Sequence, residues 1–313
     1  MPIVSIRHRT TYRYRNPVAF GEHRILARPL EGPDQRILSA ETAITPDPSA
    51  RRYLADVAGN LVEAVTFKGR SSHLTFESFV TLEHTPTAPA FDDEAEALGV
   101  GGRVLYDPLD MADLATSVAR RFEDPAGEVE AWARRFVRPV GVTGLRSLLG
   151  DMTTAIHKEF SYGVRLEGPP QSPLTTLARR SGSCRDFAML MMEAARSLGL
   201  AARFVSGYVY STPNPAGGGG GERRLGGGHT HAWVRVFTPH CGWIDFDPTN
   251  GIVGSRGLIR VAVACDPRQT IPLHGTWAGL ANDFLGMDVE VDVSAESAPM
   301  AQPAPRLRIA QGR

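Results

Sequence analysis

Over roughly the first 84 residues, apolar and polar positions alternate. Tyr12 and Tyr14 of "TTYRYR" fall on one side, as do Leu61, Val65 and Phe67 of "LVEAVTF". In "HLTFESFVTLEH", Leu74, Phe76, Val80 and Leu82 alternate against polar partners. A period of two is that of a strand with one covered face, and the turn-forming stretches "EGPDQ", "TPDPSA" and "VAGN" separate the runs. The pattern predicts a β-rich module, either a sandwich or a single sheet. From "DMADLATSVARRF" to "LRSLLGDMTTAIHKEF" the period turns helical, with Leu145, Leu148, Leu149 and Met152 at three- and four-residue steps. A further helix carries a stripe of Phe187, Leu190, Met191, Ala194 and Leu198, and Gly199 is placed to stop it. After Leu200, "ARFVSGYVY", "HAWVRVF" and "GWIDFD" read as strands. The fold class is α+β.

These patterns divide the chain into a β-rich module over 1–90, a linker with helices over 91–145, a mixed core over 146–290 and a tail over 291–313 predicted to be disordered. The linker is marked by "HTPTAPAFDDEAEALGVGG", rich in proline and acidic residues. Between two core strands lies "STPNPAGGGGGERRLGGGHT", which lacks the spacing of a phosphate-binding loop and predicts a mobile loop able to act as a lid.

Composition narrows the function classes. Lysine plus arginine equals aspartate plus glutamate, 34 each, so charge offers no reason to expect nucleic acid or an acidic membrane as partner. Cys184, Cys241 and Cys265 are too few for a disulfide framework. The N-terminal stretch lacks the apolar core of a signal peptide, and no run approaches a spanning segment. Together these point to a cytoplasmic protein.

Cys184 stands where the second helix begins. First-turn N–H groups have no intrahelical partner, and the positive end of the helix dipole favours thiolate, the nucleophilic form. The same N–H groups suit an oxyanion. A lone cysteine is more often inert packing, so the reading depends on a histidine. Alternation along "HAWVRVF" puts Ala232, Val234 and Val236 on the core side and His231, Trp233 and Arg235 on the other. His229, at the end of the glycine stretch, is less constrained. "TPHCG" reads as a hairpin connection. Pairing Phe237 with Trp243 then sets Asp247 diagonal to His231, closer than Asp245. Nucleophile, base and orienting acid make a triad.

Four ordered blocks, "SGSCRDFAML", "ARFVSGY", "HAWVRVF" and "GWIDFDPTNG", resemble the transglutaminase-like superfamily, a papain-like Cys-His-Asp fold whose nucleophile helix packs on an antiparallel sheet. The first 84 residues resemble the β-rich N-terminal module of its bacterial members. The resemblance implies Cys184 as nucleophile, His231 as base and Asp247 as orienting acid. It implies attack on a peptide or protein amide, a thioester intermediate, and transfer of the acyl group to water or an amine. No cofactor or metal is expected: no calcium-loop pattern is present, and Cys184, His229, His231 and Cys241 lack zinc-site spacing. Arg185 is read as solvated, with help in holding the thiolate as the alternative, Asp186 as a helix cap, Trp233 as a cleft wall, and Tyr162 as either packing or an oxyanion donor. Cys241 and Cys265 are read as non-catalytic. The competing class is a binding or scaffold protein that kept the fold.

Overall fold

The structure is a computed structural model that describes residues 2–86, 88–89, 96–99, 102–165, 168–211 and 224–297. The alternating N-terminal segment folds into β1 (Pro2–Ile25), β2 (Gln35–Thr45), β3 (Ala50–Ala55), β4 (Leu61–Thr66) and β5 (Arg70–His84). Leu74, Phe76, Val80 and Leu82 all point inward as the period predicts, none more than 4% exposed. The helical region gives α1 (Pro108–Val118), α2 (Glu128–Arg134) and α3 (Leu145–Glu159). Next come β6 (Ser161–Tyr162), α4 (Pro173–Arg179), β7 (Ser181–Gly182) and α5 (Cys184–Ser197). The remaining strands are β8 (Ala202–Val209), β9 (His231–Thr238), β10 (Gly242–Asp247), β11 (Ile252–Val253), β12 (Leu258–Ala264), β13 (Leu273–Ala278) and β14 (Phe284–Ser297).

Two sheets carry the architecture. The first runs β2-β5-β1-β4-β3, with β13 and β14 also paired to β1. The second is an antiparallel sheet in the order β11-β10-β9-β8-β12. Its β9 residues Ala232, Val234 and Val236 pack on α5, as alternation predicts. The opposite face meets the first sheet, where Val4, Ile6, Val80 and Leu82 pack against Tyr208, Tyr210, Ile259 and Val261. An ionic clasp crosses the same boundary. Arg260 Nη1 donates to Asp34 Oδ2 at 2.7 Å and to Asp245 Oδ2 at 3.1 Å. Charges this deeply buried persist only when paired.

Three sequence expectations change. The tail does not begin at residue 291, because β14 runs to Ser297 and pairs with β1 from Pro2 to Tyr14. The apolar residues Val289, Val291 and Val293 alternate in it and pack on the core, a pattern masked in sequence by the low-complexity stretch that follows. Residues 298–313 lie outside the described residues. In consequence, 273–297 belong to the N-terminal sheet, and the core of 146–290 is shorter at its end than its sequence suggests.

Residues 87, 90–95, 100 and 101 lie outside the described residues, but Glu96 is fully buried and accepts from Thr238 Oγ1 and from the N–H groups of His240 and Cys241. An acidic stretch that reads as a linker is therefore anchored at one point. Finally, α5 buries every residue except Arg185, not one stripe. It lies between the second sheet and α2, α3 and α4, so even Glu193 and Arg196 are enclosed and pair at 2.8 Å. Among the described residues, no helix is long and apolar enough to cross a membrane.

Candidate active site

The approach to Cys184 is fixed by a short parallel pairing, Ser161 with Ser181 and Tyr162 with Gly182. Gly182 is required there, since a Cβ would come within 2.8 Å of the Asp186 Cβ. Asp186 reaches back to accept from the Ser183 N–H at 2.8 Å and the Ser183 hydroxyl at 2.9 Å, the capping role expected of it. It also accepts from Arg165 Nη2 and the Gln171 N–H. Burial pushes its carboxyl pKa up, but these donors outweigh it and hold the group below the ordinary carboxylate value. The first turn of α5 is thereby locked, and Cys184 sits on it, 8% exposed and facing a cleft.

Arg185 is not simply solvated. Its guanidinium donates to the carbonyls of Gly168 and Arg165, pinning the loop before α4 against the helix start. Tyr162 lines the cleft with Cys184, and burial pushes its hydroxyl well above the ordinary range, with negative charge at Cys184 and Asp247 adding to the effect.

His231 opens β9. The β9–β10 register pairs Phe237 with Trp243 and runs to Val234 opposite Phe246, so Asp247 arrives diagonal to His231. His231 Nε2 meets Asp247 Oδ2 at 2.8 Å, with both side chains fully enclosed. Burial alone would lower the histidine pKa. The charge and hydrogen bond of Asp247, with a smaller contribution from Cys184, outweigh it and raise the group to about 10. Asp247 moves the opposite way. Burial raises it, but His231, the Asn250 side chain and the Thr249 N–H together pull it below the ordinary value. Nδ1 of His231 has no regular hydrogen-bond partner among the described residues, so it is the nitrogen left for the Cys184 thiol.

Trp233 does not wall the cleft. It is fully buried, with its ring stacked on His231 at 6.0 Å and its Nε1–H donating to Asp245 at 2.8 Å. Asp245 thus supports the tryptophan that backs the histidine and leaves Asp247 to the imidazole. His229 lines the cleft beside Thr230 and His231. Cys265 bonds Ser117 instead, and the backbone of Cys241 is held by Glu96. Among the described residues, no group of three or more histidine, cysteine or acidic side chains is arranged to hold a metal.

Asn250 escaped the sequence reading. Its Nδ2 donates to Asp247 Oδ2 at 2.7 Å, while its Oδ1 accepts from the Leu225 N–H at the same distance. One side chain therefore ties the acid to the end of the glycine-rich stretch. The available signal was an asparagine in the turn after "DPT", a position where the side chain readily bonds nearby backbone. Residues 212–223 of that stretch, with most of the proposed lid, lie outside the described residues.

Gly226 is described and lies over the histidine. It holds φ +86°, and a Cβ would come 2.6 Å from His231 Nδ1. Gly226→Ala is expected to slow iodoacetamide alkylation of Cys184 by about tenfold, because the left-handed strain of roughly 1–2 kcal/mol per residue adds to a clash with the ring. Gly227→Ala, whose Cβ meets nothing closer than 3.5 Å, should alkylate like the unaltered protein. Equal rates in both variants would show that Gly226 does not position the histidine.

Comparison with known proteins gives a consistent picture. Residues 4–83 match the model of the bacterial transglutaminase-like N-terminal region, and residues 130–248 that of the transglutaminase-like superfamily. An uncharacterized protein of Mycobacterium tuberculosis is 30% identical over 300 residues, spanning 92% of this chain and 91% of its own. A protein-glutamine gamma-glutamyltransferase of Pseudomonas aeruginosa is 36% identical over 77 residues, 25% of this chain and 11% of its own. A candidate cysteine protease from Cytophaga hutchinsonii superposes with a TM-score of 0.69 at 18% identity, covering 96% of this chain and 92% of its own.

Proposed function

Because the chain belongs to the transglutaminase-like superfamily, we propose that it is a thiol-dependent amide or peptide hydrolase working through a Cys184 thioester. The observation that carries this reading is the imidazole of His231, held at Nε2 by Asp247 with Nδ1 left toward the thiol at the α5 N-terminus.

The steps follow from those positions. Cys184 passes its proton to His231 Nδ1, and the thiolate attacks the amide carbonyl carbon. The carbonyl oxygen gains negative charge, to which N–H groups at the very start of α5 and the Tyr162 hydroxyl would donate. Collapse of the tetrahedral adduct breaks the C–N bond. The amine leaves with the proton from the imidazolium, and the acyl group stays on sulfur. Water then gives a proton to His231 and attacks the thioester carbon; the C–S bond breaks, the carboxylic acid leaves, and the imidazolium returns its proton to the sulfur. An amine in place of water would give transfer.

Hydrolysis is favoured because water is always present, whereas no dedicated amine site is evident beside Cys184 among the described residues. Incubation of the protein with glutamine-containing peptides and a primary amine, with products separated by mass, tests the assignment. Acid formation exceeding amine incorporation is expected, and the reverse would make the protein an acyltransferase. No Cys184-dependent turnover across a broad peptide-amide library would favour a binding role.

A further inference from the structure

The cleft at Cys184 is not built from the catalytic core alone. Side chains two apart on a strand share a face, and on β1 those are His8, Thr10 and Tyr12. The β1–β14 register sets Val291 beside His8, Val289 beside Thr10 and Met287 beside Tyr12. This double file descends into the cleft. Met287 is 40% exposed at the rim, Tyr12 and Val289 are half-buried, and Thr10 and His8 are buried at the foot, while Val291 packs in the core between the sheets. Across from it stand Ser183, Cys184 and His231, and the space between is about 420 Å³.

Two features describe what fits there. The volume exceeds what one carboxamide occupies and falls in the range of about 300–1,000 Å³ in which ligand sites hold a drug-sized molecule. The polar groups at the foot are already satisfied: His8 Nδ1 bonds the Tyr208 hydroxyl at 2.8 Å, and its other ring nitrogen meets Thr10 Oγ1 at 3.2 Å. Burial also drives the His8 pKa down to about 4, so the foot carries no histidine charge at neutral pH. At the foot, His8 and Thr10 are already bonded to each other and to Tyr208, whereas apolar surface would be covered by the Tyr12 ring, Met287 and Val289.

We propose that the β1–β14 file is the acyl-donor subsite, selecting an apolar residue adjacent to the reacting amide, so that both ends of the chain are part of the active site. This rests on the thioester reading above. Tyr12, Val289 and Met287 are then specificity-determining residues, and the N-terminal sheet is no separate docking module.

The test uses two reagents with one warhead, iodoacetamide and N-benzyl-iodoacetamide, on the full chain, with modification at Cys184 followed by peptide mass mapping. Rates are normalised to those of glutathione. The unaltered protein should prefer the benzyl reagent by tenfold or more. The double variant Met287→Ser/Val289→Thr should bring the ratio of the benzyl to the iodoacetamide rate to within about twofold of that of glutathione. Val289→Trp, which fills the wall, should do the same. Met287→Ser alone alters only a rim residue and serves if the double variant does not fold, with a smaller loss expected. No benzyl preference, or a preference untouched by these changes, would overturn the subsite while a His231-dependent iodoacetamide rate left the catalytic reading standing. A Cys184 no more reactive than glutathione and indifferent to His231 would remove both.

Discussion

Replacement of His231 by alanine is expected to slow turnover of an amide substrate by about 10²–10⁴-fold, the contribution typical of a positioned general acid–base group. It should also slow iodoacetamide alkylation of Cys184 at pH 7 by at least about tenfold, since the thiol loses the group that takes its proton. Cys184→Ala should abolish thioester formation completely, with any remaining turnover at the solution background. The two readouts separate roles. Alkylation needs no substrate, so a reactive thiolate weakened by His231→Ala establishes the Cys-His pair before any substrate is known. Alkylation of Cys184 at the rate of an ordinary thiol, unchanged in His231→Ala, would remove the basis of the proposed activity. The Cys265 thiol, whose pKa is lowered chiefly by Ser117 and Thr116 against the opposing effect of burial, provides an internal comparison in the same mass map.

Asp247→Asn is the second large effect. It keeps an oxygen for the Thr249 and Asn250 N–H groups, which bond Asp247 Oδ1 at 2.9 and 3.3 Å, but removes the charge facing His231. Turnover is expected to fall by about 10²–10⁴-fold as the imidazolium loses its stabilising partner. Asp247→Ala removes the turn bonds as well and should cost about 3–5 kcal/mol of stability, the range for breaking a buried ion pair from one side.

The pH dependence distinguishes the two contributions. His231 has a raised pKa, so its share of stability is fully present below about 6.5, the unfolded value, and is lost as pH rises toward about 10. Asp247 is lowered, so its share is present above the ordinary carboxylate value and lost on acidification below it. Melting temperatures of the unaltered protein should therefore decline between pH 6.5 and 10. In Asp247→Asn that decline should flatten, and an undiminished slope in the variant would mean that the pair does not couple as its geometry indicates.

Much of the site could be read in advance because it depends on short-range order. The helix stripe from Phe187 to Leu198 and the stop at Gly199 locate the start of α5 and put Cys184 on its first turn. A single hairpin connection, with Phe237 opposite Trp243, carries Asp247 to His231. A two-residue error in that register would have kept the face, which made the inference robust. Alternation puts Trp233 on the correct face of β9 but not in its role, because it tells which side a residue takes and not what covers that side. Here both sides are covered, and the tryptophan lies beneath the imidazole instead of beside a substrate.

The features missed are those that join distant parts of the chain. Asn250 reaches back to Leu225, Arg260 to Asp34, and β14 to β1. Local periodicity carries no information on which strand will lie beside another. That choice follows from burying two sheet faces and an ionic clasp at once, a property of the assembled chain. The sequence by itself determined the α+β class, the helix mouth under Cys184 and the His231–Asp247 diagonal, since each follows from backbone period and one tight turn. Only the tertiary structure decided that β1 and β14 face the thiol and close the cleft, because contacts between the two ends of a chain exist only after the sheets have packed.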